Sequence, residues 1–285
     1  MTVERLRSFR LVVVACLTTA SWLLAGCVAV PDPNRAAPNP EAAPSFDSRT
    51  SAARPASDDA SRQRRARARF ELAVAYYQRA QLDVALEEVQ SALQADPDMS
   101  DAYNLRGLIL SARGDDGLAE DSFRRGIALN PRDADAMHNY GWFMCQRRRY
   151  PEAAAMFQQA LAVPQYLGAS RTMLTSGICE WRAGHLDTAE ASLKRAYDLD
   201  PTSPVIAVNL AEVLFQRGDL DRARFYIRRV NQSDETTNAQ SLWLAAKIEM
   251  KLGNTQGAND LGAKLRSKFP KSRESLAFDR GAFNE

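Results

Sequence analysis

The chain has 285 residues, 45% hydrophobic and 25% charged, with a formal net charge of +2 at pH 7. Residues 1–26 hold three arginines and one acid of that balance, so the remainder is close to neutral, which excludes nucleic-acid binding driven by the overall field. The two histidines, His138 and His185, come with no nucleophile pattern, phosphate-cradling glycine loop or metal-ligand spacing, so no enzyme chemistry, metal or cofactor is expected.

In chain order, the first thirty residues carry the three parts of an export signal. Arg5, Arg7 and Arg10 form a positive start. Leu11 to Leu24 is apolar but too short to span a bilayer comfortably, as in a removable signal. The next four residues, Leu24-Ala25-Gly26-Cys27, resemble the lipobox of bacterial lipoproteins, where small residues admit the peptidase beside an already lipidated cysteine. The resemblance implies that residues 1–26 are removed and that Cys27 is the acylated N-terminus; the alternative is an ordinary signal with an incidental cysteine. Three acyl chains, at ~0.8 kcal/mol per buried methylene, anchor stably. Val28 stands where an Asp commonly retains such proteins in the inner membrane, so the expected place is the periplasmic face of the outer membrane.

Residues 27–61 follow as a lipidated cysteine and a tether rich in Pro, Ala, Ser, Asp and Asn. Such a stretch cannot bury enough apolar surface to offset its chain entropy and is expected to be disordered, with a reach of roughly 30 Å. Arg62, Arg64, Arg65, Arg67 and Arg69 are read as the solvated first turns of a helix rather than a phosphate or lipid-headgroup contact.

From residue 62 the chain repeats itself. Pro97 and Pro131 lie 34 residues apart, and Pro201 and Pro270 close later units. A pair of small residues twelve apart recurs six times: Ala73 with Ala85, Gly107 with Ala119, Gly141 with Ala153, Gly177 with Ala189, Ala211 with Ala223, and Ala246 with Ala258. Small residues at these places let two helices cross closely, and large ones fill the complementary positions. Those are Leu72, Tyr76 and Val89 in the first unit, Tyr103, Leu110 and Phe123 in the second, and Met137, Tyr140 and Phe157 in the third. Met173 and Leu193, then Leu210, Leu214 and Ile227, then Leu242 and Leu265 continue the series. Gly114, Gly184, Gly218 and Gly253 mark left-handed caps between the two helices of a unit.

This pattern resembles the tetratricopeptide repeat (TPR) and implies an all-α, right-handed superhelix of six helix-turn-helix repeats over 62–271. The units run about 66–99, 100–133, 134–169, 170–203, 204–238 and 239–271, with 272–285 a capping helix or a frayed tail. Two extra residues enter around Pro164-Gln165-Tyr166-Leu167-Gly168, and one enters before the sixth unit. The first helix of each unit (helix A) should line the concave face. Its groove positions include Phe70, Val74, Tyr77, Leu108, Trp142, Trp181, Phe215 and Trp243, with His138 among them as a solvated side chain. An apolar groove of this kind suits an extended or helical segment of a partner.

Cys145 and Cys179 fall at similar depths in helix A of units three and four. In an oxidising compartment they are a disulfide candidate, with two buried free thiols as the alternative and a metal site disfavoured for want of histidines.

The segment His138-Asn139-Tyr140-Gly141-Trp142-Phe143-Met144-Cys145, followed by Tyr150, Glu152-Ala153, Pro164-Gln165-Tyr166 and Gly177-Ile178-Cys179, resembles the type IV pilus biogenesis lipoproteins called PilF or PilW. Met144 stands where relatives are expected to carry leucine, a volume-conserving change. The resemblance spans the mature chain and includes both cysteines. It implies a pilotin: a monomeric outer-membrane lipoprotein whose partner is the pilus secretin, needed for that protein to reach the outer membrane and assemble into its ring. The alternative is a general periplasmic TPR scaffold for other envelope complexes. A hydrolase with a TPR appendage is excluded, because the repeats leave no room for a catalytic domain.

Overall fold

The computed structural model describes residues 55–283; the signal segment, Cys27 and the tether up to residue 54 lie outside them. Among the described residues there are thirteen helices and no strand. They pair as α1 (Pro55–Gln78) with α2 (Leu82–Ala95), α3 (Ser100–Arg113) with α4 (Asp116–Leu129), and α5 (Ala134–Gln146) with α6 (Tyr150–Ala162). The next pairs are α7 (Ala169–Arg182) with α8 (Leu186–Leu199), α9 (Pro204–Arg217) with α10 (Leu220–Val230), and α11 (Ala239–Lys251) with α12 (Thr255–Lys268). A short α13 (Arg273–Asp279) closes the array. No helix of the described residues is long and apolar enough to cross a membrane.

Each A helix packs on its own B helix, and each B helix on the A helix that follows. Successive A helices also touch one another, whereas successive B helices do not, so the A helices lie on the inside of the curve. The small-residue crossings are tight: the alanines of all six pairs are 0% exposed. A methyl group added at Gly107 would come within 2.7 Å of the Phe123 ring, and one at Gly141 within 2.8 Å of the Phe157 ring. Glycine in helix A therefore goes with a ring or a leucine four residues after the helix-B alanine (Phe123, Phe157, Leu193), while alanine at Ala73 and Ala211 goes with the β-branched Val89 and Ile227.

The sixth unit breaks this rule and shows why the chain continues past it. Its position equivalent to Phe157 is Gly262, and the space is filled by the Phe278 ring of α13. Phe278, Leu242, Ala246 and Leu265 form a terminal core with Trp243 and Phe283 packed against it. Of the two readings of the C-terminal segment, the structure shows the cap.

Two expectations need correction. Helix α1 begins at Pro55, so residues 55–61, assigned to the tether, are helical. Alanine, serine and arginine tolerate a helix there, Asp58 lies in its first turn, and Asp59 pairs with Arg62. Leu72 is not core but 45% exposed. Its counterpart Tyr140 stacks on Phe123 of the preceding unit at 5.6 Å between ring centroids, and among the described residues no unit precedes the first to cover Leu72. The four expected glycine caps are present, and the other two inter-helix turns close without glycine. Gly114, Gly184, Gly218 and Gly253 have φ of 79–87°, but Ala80 (φ 56°) and Arg148 (φ 60°) hold the same left-handed position in units one and three.

Candidate partner-binding face

The inner face is built from helix-A positions three before, one after and four after each small residue. Phe70, Val74 and Tyr77 are partly buried against the core of the first two units, and the Arg67 guanidinium sits 5.3 Å from the Phe70 ring. Burial raises the Tyr77 phenol above its ordinary pKa. Leu108 and Trp142 pack against the core of units two to four. The outer face of Trp142 carries the Arg182 guanidinium at 5.0 Å. The Trp181 indole N–H donates to Gln216 Oε1 at 2.8 Å, tying unit four to unit five.

Phe215 is only 7% exposed, and the ammonium groups of Lys247 and Lys251 stand 5.1 and 4.6 Å from its ring. Trp243 packs on Phe278 and Phe283, with centroids 6.2 and 5.1 Å away. The expected continuous apolar groove is thus corrected to a row of aromatic rings partly roofed by cations, and its last member is taken up by the C-terminal cap. Helical periodicity finds the rings; it does not show that long side chains of the next unit reach back over them.

His138 is a further correction. It is buried, with Nδ1 2.9 Å from Thr172 Oγ1, and its ring lies 6.0 Å from that of Phe157. Thr172 is in turn 3.0 Å from Tyr166 Oη, whose hydroxyl donates to Asp135 at 3.1 Å. The inserted turn between units three and four supplies Tyr166, whose hydroxyl meets the same Thr172 that His138 bonds. Burial, reinforced by the positive charge of Arg171, lowers the imidazole pKa from 6.5 to about 4. The unfolded chain takes up a proton at this side chain below pH 6.5, but the folded chain does so only near 4. The stability it contributes is therefore complete above pH 6.5 and is lost as the pH falls toward 4. Between pH 7 and pH 4 the protein should lose about 2–4 kcal/mol more than His138→Asn in urea unfolding. Equal losses in the two proteins would contradict the buried, neutral assignment. His185 is exposed, 2.8 Å from the Glu180 carboxylate.

Cys145 and Cys179 are joined in a disulfide between α5 and α7, with Cα atoms 5.8 Å apart and both side chains buried. The bond spans the inserted turn. Elsewhere neighbouring units are tied by ion pairs. The most buried carboxylate among these, Glu249, accepts hydrogen bonds from Arg224 at 2.8 and 2.6 Å, Arg228 at 3.0 Å and Asn254 at 2.7 Å. Burial alone would raise its pKa, but these donors and the arginine charges hold it below the ordinary carboxylate range.

Rows of paired helices with a ring-lined inner face define a protein-interaction array of the tetratricopeptide-repeat class. The tetratricopeptide-repeat family profiles match in overlapping windows, 41–100, 70–134, 105–167, 146–204 and 180–248. The crystal structure of PilW, described as a widely conserved type IV pilus biogenesis factor, superimposes with a TM-score of 0.69 at 32% identity. That match covers 75% of this chain and 97% of PilW. The type IV pilus assembly protein PilF of Pseudomonas aeruginosa is 25% identical over 209 residues, 73% of this chain and 82% of PilF. A solved structure of that protein superimposes with a TM-score of 0.68 over 78% of this chain and 99% of the other. The chain belongs to the PilF/PilW family of type IV pilus biogenesis TPR proteins.

Proposed function

We propose that the protein is an outer-membrane lipoprotein pilotin that binds the secretin of a type IV pilus machine and promotes its localisation and assembly into multimers. The observation that carries this reading is the 32% identity to PilW, a pilus biogenesis factor, over nearly all of that chain, joined to the lipobox ending at Cys27. Acyl groups on Cys27 carry the array to the membrane, and the tether gives it play. The first-unit surface of Phe70, Val74 and Tyr77, with Trp142 and Trp181 deeper along the inner face, holds apolar secretin surface until the subunits oligomerise. Replacing Phe70, Val74 and Tyr77 together by Ala is expected to lower secretin multimers severalfold in outer-membrane fractions. Because all three also touch the first core, the amount of variant protein is matched by immunoblot. Full multimer levels at matched protein would remove the first unit from the site.

A further inference from the structure

Many arginines of the array are held by carboxylates of a neighbouring unit: Arg113 by Asp83, Arg147 by Asp116, Arg217 by Asp187 and Glu190. Along the inner face and the α5–α6 turn at its edge, some cations of units three, four and six break this pattern. Arg148, Arg182, Lys247 and Lys251 have no carboxylate within salt-bridge distance among the described residues, although Arg147 and Arg149 on either side of Arg148 are both paired. Three of the four cations are stationed over aromatic rings, Arg182 over Trp142 and the two lysines over Phe215. Among the groove positions of helix A, Glu212 is the one carboxylate, and it accepts from Gln216.

Arg148 also occupies the left-handed turn position that glycine holds in units two, four, five and six. A side chain there costs ~1 kcal/mol or more. Arg148 and Arg182 converge on one recess of about 600 Å³, which is also lined by Cys145, Gln146 and Tyr150. The disulfide that joins units three and four thus lies at the wall of the place where the two guanidiniums meet. A face with fixed rings, uncompensated positive charge and almost no carboxylate is complementary to a segment that brings its own carboxylates.

We propose that this face docks an extended acidic segment of a partner polypeptide. Its carboxylates are taken by Arg148 and Arg182 in the recess and by Lys247 and Lys251 farther along, and its apolar side chains lie against Trp142 and Trp181. The site does not depend on which protein supplies the segment, so it stands or falls separately from the secretin reading.

The test places a photo-crosslinking amino acid at the exposed Gln146 of the full chain in its native cells and sequences the crosslinked peptide by mass spectrometry. The expected peptide is acid-rich and comes from another protein. Its yield falls about tenfold in the double variant Arg148→Glu/Arg182→Glu. Neither arginine has a carboxylate partner to lose, and the one contact given up is that of the exposed Arg182 with Trp142, so the double variant should melt close to the parent in circular dichroism. If it does not, Lys247→Glu/Lys251→Glu provides the second charge reversal and is expected to lower the yield likewise. The proposal is overturned if the peptide carries no net negative charge, if it comes from residues 28–54 of this chain or from a second copy, if no crosslink forms, or if charge reversal leaves the yield unchanged. An acid-rich peptide from a protein other than the secretin would uphold this site and count against the pilotin reading.

Discussion

Phe157→Ala is expected to lower the unfolding free energy by about 3–5 kcal/mol. The ring is 1% exposed and lies where α5 and α6 cross, filling the space left by Gly141 and touching the covered side of His138. Neighbouring side chains cannot close in, because Ala153 and Ala160 on the same helix are already at 0% exposure and the glycine has no side chain to contribute. A cavity therefore remains, and its cost adds to the lost transfer free energy. Leu72→Ala is the control: that side chain is 45% exposed and should change stability by no more than about 1 kcal/mol. Urea denaturation followed by circular dichroism measures both. Similar losses from the two substitutions would mean that the glycine-and-ring crossing is not what holds the units together.

Replacing both Cys145 and Cys179 by Ala should cost about 2–4 kcal/mol. The bond closes a loop with a sequence separation of 34, and closing such a loop removes entropy from the unfolded chain. It also bridges the longer of the two insertions between units, and no other disulfide is present among the described residues. In a linear array each unit is stabilised by its neighbours, and the loss should be felt most strongly between units three and four. Reducing agent should lower the wild-type midpoint by a matching amount and leave the double variant unmoved. A wild-type midpoint indifferent to reductant would show that the bond contributes nothing to stability.

The helix pairs were readable from the sequence because they rest on local rules. The twelve-residue spacing of small residues fixes each crossing, and glycine marks four of the turns by a conformation that other residues adopt at a cost. What was not readable depends on neighbours in space. Leu72 fits the repeat pattern as well as Leu210 does, but among the described residues only Leu210 has a preceding unit to pack against. His138 falls on the open face by periodicity but is buried with its ring nitrogen on Thr172 of α7, which Tyr166 of the insertion meets in turn. Ala80 and Arg148 show that a left-handed turn can be imposed by flanking helices without a glycine to announce it. The site was legible as a set of rings and not as a charge pattern. Lys247 reads as a groove position and Arg182 and Lys251 as ordinary surface, and periodicity does not show that each lies over a ring of the preceding unit, Trp142 or Phe215.

The measurement that bears most directly on the pilotin reading is the state of the secretin in outer-membrane fractions, resolved as heat-resistant multimer against monomer. It is made in cells lacking this gene and in cells carrying Cys27→Ala. Loss of the multimer is expected in the first strain and mislocalised monomer in the second. Undiminished multimer in the outer membrane of both strains would contradict that reading.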